Sequence, residues 1–422
     1  MLDLKFIREN IELVRQNIIN KNEKANIDDI LNLDIERRSI IQEVEKLKNL
    51  RNVVSREIAD LKKQNQDATD KINEMKNVAD KIKELDDKLA EIEDKIHNIV
   101  TYIPNMTGDK VPIGRSSEDN VVVRTWGEKP ISRYKKNHIE IAKELNIIDF
   151  ERGAKVSGGG FAFYRGKGAK LERALINFMI DYHLEKHSYT ELFPPFLVNS
   201  NSMFGTGQLP KMAEDMYFAN EDKMYLIPTA EVPITNYHNN EVLNVNELPI
   251  KYCGYSPCFR REAGSYGKEV RGFLRVHQFN KVEMVNFTKP EDSFNQLEIL
   301  VTEAEDIIKA LGLHYRVLLL CTGDTSFSSA MTYDLEVFSP GEEMWLEVSS
   351  CSNFTDFQAR RANIRFKRDP NSKPEFVHTL NGSGLATSRI MVAIIEQYTD
   401  ENGILNIPEV LVPYCGFDKI TT

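Results

Sequence analysis

Between Cys253 and Val285 the chain reads CGYSPCFRREAGSYGKEVRGFLRVHQFNKVEMV, and its middle gathers Arg260, Arg261, Glu262, Gly264, Gly267, Arg271, Gly272 and Arg275. Guanidinium groups at this density suit a polyphosphate, because each offers forked, charge-assisted hydrogen bonds to phosphate oxygens. An ordinary solvated loop carries one or two arginines; this one carries four. The flanks, Ile250–Arg261 and Arg275–Phe287, are rich in aromatic and β-branched residues and read as strands. Two strands around a Gly-containing polar loop predict a long antiparallel hairpin with the arginines at its end.

Other stretches could add chemistry to that hairpin. Tyr225–Glu231, YLIPTAE, ends a strand in a polar Thr-Ala-Glu that by itself reads as a helix cap. Glu342–Arg361 is EEMWLEVSSCSNFTDFQARR, in which carboxylate and hydroxyl oxygens of Glu347 and Ser350 suit Mg²⁺. His378–Arg389 is HTLNGSGLATSR, whose glycines let backbone approach a ligand closely, followed by a helix over Arg389–Glu396. Ser157–Gly168 is Gly-rich but is not a Walker A loop. No glycine stands five residues before Gly166, and Gly168-Ala169 stands where Lys-Ser/Thr is needed. It reads as a turn feeding an amphipathic helix, Ala169–His187. His183 and His187 are spaced as a metal pair on that helix, but Leu184 stands where a zinc peptidase has Glu, so both read as surface histidines.

The elements that must position these groups follow a marked N-terminal segment. Residues 1–25 read as one short amphipathic helix, with Leu4, Ile7, Ile11, Val14 and Ile18 at helical spacing. From Asp28 to Ile103 there is no Pro or Gly. Leu33, Ile40, Val44, Leu47, Val54, Ile58 and Leu61 follow a 3-4 repeat, with Arg37 and Arg51 at two seam positions. After a polar break at Gln64–Asp67 the repeat resumes through Met75, Val78, Ile82, Leu85, Leu89, Ile92, Ile96, Ile99 and Ile103. This predicts an antiparallel coiled-coil hairpin of two helices, each roughly 45–55 Å long at about 1.5 Å per residue. Pro104 ends it. Residues 35–63 carry eight Lys/Arg against five Asp/Glu, and residues 70–95 carry six against nine. The first helix could therefore face a phosphate backbone. Past Asn120 the pattern is mixed α and β, with Val121-Val122-Val123 strand-like and His138–Asn146 helical.

Composition sets outer bounds. The chain has 422 residues, 28% charged and 41% hydrophobic, which is ordinary for a globular protein of two or three domains. A net charge of −10 argues against indiscriminate nucleic-acid binding but allows a local basic patch. The five cysteines are scattered, and Cys253 and Cys258 are separated by four residues rather than two, so they read as reduced thiols of a cytoplasmic protein. The charged N-terminus is no signal peptide, and no apolar run approaches the ~20 residues of a membrane span.

Phe259-Arg260-x-Glu262 followed by Arg275-x-His277-Gln278-Phe279 resembles motif 2 of the class II aminoacyl-tRNA synthetases, and His-Gln-Phe followed by Glu283 resembles the seryl-tRNA synthetase family. HTLNGSGLATSR resembles motif 3, with Ser388-Arg389 where family members often have Gly-Arg, and Pro195 in ELFPPFLVNS matches the motif 1 proline of the dimer interface. The likeness covers arm, Thr-Ala-Glu loop and motifs together. It implies an α+β fold: a tRNA-binding helical domain with a coiled-coil arm over 1–104, then a catalytic domain over 105–422 with a mainly antiparallel sheet and flanking helices. It implies a homodimer that uses Mg·ATP to make seryl-adenylate from L-serine and charges tRNA(Ser), and also selenocysteine tRNA, tRNA(Sec), where one exists. Residue by residue, it assigns ATP to Arg260, Arg261, Glu262, Arg275, Phe279, Glu347, Val348, Ser349, Ser350 and Arg389. Serine falls to Thr229, Ala230, Glu231, Arg260, Glu283 and Ser383, and Mg²⁺ to Glu347 and Ser350. Arg260 and Arg389 are the catalytic pair, Phe279 gives its ring face to adenine, and Asn353 and Arg361 match without a role. Two rivals share some of these features. A ligase loading an amino acid onto a carrier protein lacks the arm, and a catalytically dead homologue would have lost Arg260, Glu262 or Arg389.

Overall fold

The computed structural model describes residues 1–262 and 272–422. Gly264, Gly267 and Arg271 of the predicted loop lie outside the described residues. The chain divides into two compact units. One comprises residues 2–19 and 23–104; the other comprises residue 1, residues 20–22 and residues 105–422.

In the smaller unit the predicted first helix is two, α1 (Leu4–Glu9) and α2 (Ile11–Asn20). Asn10 separates them, turning its side-chain amide back onto the Phe6 carbonyl at 3.0 Å, a capping habit that competes with helix continuation. The long pair follows as α3 (Asp28–Lys63) and α4 (Thr69–Val100). Ile40, Val44 and Val54 of α3 and Met75, Ile82, Leu85, Ile92 and Ile96 of α4 are buried, so the seam is the one the repeat marks. Ion pairs Arg37–Glu93, Lys88–Glu36, Lys48–Asp86 and Lys71–Glu57 run in opposite senses along the two helices and fix the antiparallel register. Arg51, expected in the seam, is exposed; a guanidinium gains nothing from an apolar stripe that offers it no partner.

The larger unit is built on an eight-stranded sheet. Its strands are β1 (Val121–Trp126), β2 (Thr190–Glu191), β3 (Ile250–Phe259), β4 (Gln278–Thr288), β5 (Tyr315–Leu319), β6 (Met331–Ser339), β7 (Met344–Asn353) and β8 (His378–Ala386), in spatial order β1-β5-β6-β7-β8-β4-β3-β2. All neighbours are antiparallel except β2 beside β3. The helices Lys167–His187, Ser293–Ala310 and Thr387–Tyr398 bury Leu171, Leu175, Leu300, Ile307, Ile390 and Ile394 against Val282, Met284, Leu335, Val337 and Leu346 of the sheet. Strand alternation then sends the intervening residues, among them Lys281 and Glu283, to the other face. There Lys281 and Glu283 meet a cleft, while Val285 and Phe287 farther along β4 enter a second core cluster with Ala230, Ile234, Ala359 and Phe366.

Two departures from the expected elements matter. The hairpin strands stop at Phe259 and restart at Gln278, so Arg260, Arg261 and Arg275 lie on the irregular backbone just beyond the strand ends. His183 and His187 are not surface residues. His183 is fully buried, its Nε2 3.1 Å from the Gly384 carbonyl oxygen and its Nδ1 2.9 Å from Nδ1 of His187. Burial, and then the neighbouring His187, push the His183 imidazole down to about 3.

Candidate active site

The open face of the sheet carries a cleft of about 770 Å³. One end of it is acidic. The segment before the helix Glu231–Asn236 is held to the hairpin by Phe259 N–H donating to the Ile227 carbonyl at 2.9 Å. This sets Thr229 beside β4. The Thr229 hydroxyl donates to Glu283 Oε2 at 2.8 Å and accepts from the Glu231 amide at 3.1 Å. Glu231 Oε1 accepts from the Gln358 side-chain amide at 2.6 Å, and Gln358 accepts in turn from the Thr379 hydroxyl at 2.7 Å. Burial first, and the charge of Glu283 second, push the Glu231 carboxyl up to about 7. Lys281 Nζ lies 2.5 Å from Glu283 Oε2. An ammonium group placed against Glu231 would find a carboxylate poised to ionise near neutrality.

The other end is basic. Arg260 N–H donates to the His277 carbonyl at 2.9 Å, closing the hairpin base, and its guanidinium carbon stands 5.2 Å from the Phe279 ring centroid. Arg275 is ion-paired with Glu262, whose φ of +52° places it in the left-handed region. Arg389, in the first turn of the helix Thr387–Tyr398, donates to the Glu347 carbonyl at 2.9 Å and to the Leu274 carbonyl at 3.3 Å. It thus ties the hairpin's return segment to β7. The return segment has a second anchor. Phe273 N–H donates to His138 Nε2 at 3.3 Å, which leaves the proton on Nδ1, 3.2 Å from Glu396 Oε1.

Glu347 and Ser350 both line the cleft, although an odd spacing on a regular strand would put them on opposite faces. A β-bulge resolves this. Leu335 pairs with Ser349 and Glu336 with Glu347, so Val348 is extra and the alternation reverses across it. Asp334, opposite Ser350, also lines the cleft. Its Oδ1 is buried with no hydrogen-bond partner, and burial, then the charge of Glu347, hold its carboxyl well above the usual range. An orphaned carboxylate oxygen beside a second carboxylate and a hydroxyl is a donor set that a hard divalent cation would satisfy.

Residues 215–398 match the tRNA synthetase class II core domain (G, H, P, S and T), and residues 1–107 match the seryl-tRNA synthetase N-terminal domain. The serine–tRNA ligase of Chlorobium phaeovibrioides is 56% identical over 431 residues, spanning 100% of this chain and 99% of the relative. The chain belongs to the seryl-tRNA synthetase family. The serine–tRNA ligase of Caldicellulosiruptor saccharolyticus is 57% identical over 421 residues and 100% of both chains. The crystal structure of seryl-tRNA synthetase from Pyrococcus horikoshii complexed with ATP superposes with a TM-score of 0.94 at 37% identity, covering 100% of this chain and 99% of that one.

Of the positions that the seryl-tRNA synthetase motifs mark, the cleft brings together Thr229, Glu231, Arg260, Glu262, Arg275, Phe279, Glu283, Glu347, Val348, Ser350, Ser383 and Arg389. Three stand apart. Ala230 is fully buried in the second core cluster, with Val285 and Phe287. Ser349 is buried on the far side of β7 and donates to the Ser383 carbonyl at 2.6 Å. Arg261 is exposed, with its amide donating to the Asp215 carbonyl. Asn353 and Arg361 are buried away from the cleft. The sequence reading missed Lys281, Asp334 and Gln358. The even spacing of Lys281 between Phe279 and Glu283 was the available signal for the first. Gln358 had no signal, because its role depends on a helix folding back over the Thr-Ala-Glu loop.

Proposed function

We propose that this chain activates L-serine with ATP and transfers it to tRNA(Ser), with selenocysteine tRNA as a second acceptor. The observation that carries the reading is a single cleft with paired carboxylates at one end and three arginines at the other, in a chain of this family. Glu231, backed by Gln358, takes the substrate ammonium, and Glu283 accepts from the substrate hydroxyl. Arg260 sits between, where it draws the carboxylate and the α-phosphate together and offsets the charge that builds as one attacks the other. The carboxylate oxygen bonds to the α-phosphorus and pyrophosphate leaves. The terminal adenosine hydroxyl of the tRNA then displaces AMP from the acyl carbon. Arg275 and Arg389 hold the phosphate tail, and Phe279 offers adenine a ring face. Glu347 and Ser350, with Asp334, would hold Mg²⁺, which when bound draws charge off the phosphates. The arm over α3 and α4 holds the tRNA, and a homodimer forms through the segment around Pro195. No helix among the described residues is long and apolar enough to cross a membrane.

The test is ATP–pyrophosphate exchange across the amino acids, followed by charging of tRNA(Ser). Serine alone should drive exchange strongly. Equal exchange with several amino acids, or exchange without charging, would overturn the reading.

A further inference from the structure

We infer that Lys281 is a positioning residue for substrate selection: it occupies one oxygen of Glu283 and leaves the other as the acceptor for the substrate hydroxyl. The inference rests on the serine reading of the cleft.

The geometry is asymmetric. Both partners of Glu283, the Lys281 ammonium at 2.5 Å and the Thr229 hydroxyl at 2.8 Å, approach Oε2. Oε1 takes neither. Lys281 and Glu283 share the cleft face of β4, and each is nearly inaccessible, 6% and 1% exposed. A buried ion pair is rarely more stabilising than two apolar side chains of the same size, so stability alone does not account for this one. Its effect on the site does. Glu231 and Glu283 are two carboxylates on one floor. The groups facing Glu231 are Glu283 and Lys281 from β4, Arg260 beyond β3, Gln358 from the helix Phe357–Ala362, and Thr229. Without Lys281, Arg260 is the remaining cation facing the pair among the described residues, and Glu231, already pushed up to about 7, takes up its proton more readily. Without the lysine on Oε2, the Glu283 carboxylate is held there by the Thr229 hydroxyl alone and can turn about its terminal bond, so the serine hydroxyl is met less well and its advantage over alanine shrinks. Lys281 thus fixes which oxygen of Glu283 does the accepting.

The experiment compares wild type, Lys281→Met, Lys281→Gln and Lys281→Arg by ATP–pyrophosphate exchange with serine and with alanine, from pH 6 to 9. In Lys281→Met and Lys281→Gln the serine/alanine ratio of kcat/KM should fall by roughly tenfold or more. The pH at which the serine KM rises should also move upward, because Lys281 is one of the charges that lower Glu231. Lys281→Arg should restore both in part. A merely structural lysine would move neither readout. If serine and alanine lose equally, Lys281 instead contacts a group common to both substrates, and the inference fails. It fails also if the ratio and the pH profile stay at wild type. Should wild type itself show no preference for serine, the proposed function fails rather than this inference.

Discussion

Glu231 is the residue whose state should be visible in simple kinetics. Its carboxyl titrates at about 7, pushed up by burial and then by Glu283. Only the ionised form pairs with a substrate ammonium, so the serine KM should fall as pH rises from 6 to 8, while the ATP KM should not share that inflection. A serine KM flat across this range would remove Glu231 from ammonium binding. Arg260 belongs to the reacting phosphate in the proposed function, and Arg260→Ala should cut exchange by roughly 10²–10³, the usual loss for one preorganised electrostatic group. Arg389→Ala should act mainly on the ATP KM; wild-type exchange kinetics for both variants would place the ATP site elsewhere. Glu283→Ala should lower serine activation and collapse the serine/alanine ratio, which in wild type should reach about 10⁴. These residues were legible because their types and order form motifs. Asp334 was not, because its significance lies in an orphaned oxygen across a strand pair from Ser350, and pairing register is a tertiary fact.

At the scale of elements, the hairpin, the long helices and the helix after motif 3 follow from periodicity and appear within a few residues of expectation. What escaped is where regular geometry is interrupted. The extra residue at Val348 brings Glu347 and Ser350 to one face; period-two reading alone would have separated them. Asn10 splits an amphipathic stretch whose apolar spacing is unbroken. The helix Lys167–His187 is buried on more than one side; His183, polar by type, turns inward because the Gly384 carbonyl of β8 meets it, and His187 packs between His183 and Asp306. That burial has a measurable consequence. His183 stays neutral down to about pH 3, whereas an unfolded chain takes up its proton near 6.5. The unfolded state therefore binds more protons than the native one below 6.5, and stability falls as pH falls. Between pH 7 and 5 the wild type should lose roughly 2 kcal/mol more than His183→Asn, at about 1.4 kcal/mol per unit of pH once the unfolded imidazole is charged. Urea unfolding of both proteins at the two pH values measures this, and equal losses would mean that His183 takes up its proton in the folded protein as well.

For the whole molecule the question is how a chain of net charge −10 engages a polyanion. The excess of basic residues on α3 supplies an answer only if the charges are free to meet phosphate. Some are not. Arg37 and Lys48 are committed to Glu93 and Asp86 of α4, Arg38 to Asp34 and Lys63 to Asp60. Lys46, Arg51, Arg56 and Lys62 are exposed and form no ion pair among the described residues. Their reversal breaks no ion pair among the described residues and touches no buried seam position, so the seam should survive it. Arg51 stands at a repeat position without being buried there, which fits a residue kept for its charge. Reversing all four to Glu should therefore leave the helical content of the arm and serine-dependent exchange at wild-type levels. The KM for tRNA in charging should rise at least about tenfold, since each lost phosphate contact also forfeits its released counterions. The dependence of that KM on salt should flatten, each contact having contributed roughly 0.7–0.9 to the log–log slope. Deleting 28–103 should have the same kinetic signature in full, with exchange retained and charging abolished. If the reversed protein charges tRNA with an unchanged KM and an unchanged salt slope, the free cations of α3 do not hold the tRNA, and another surface must.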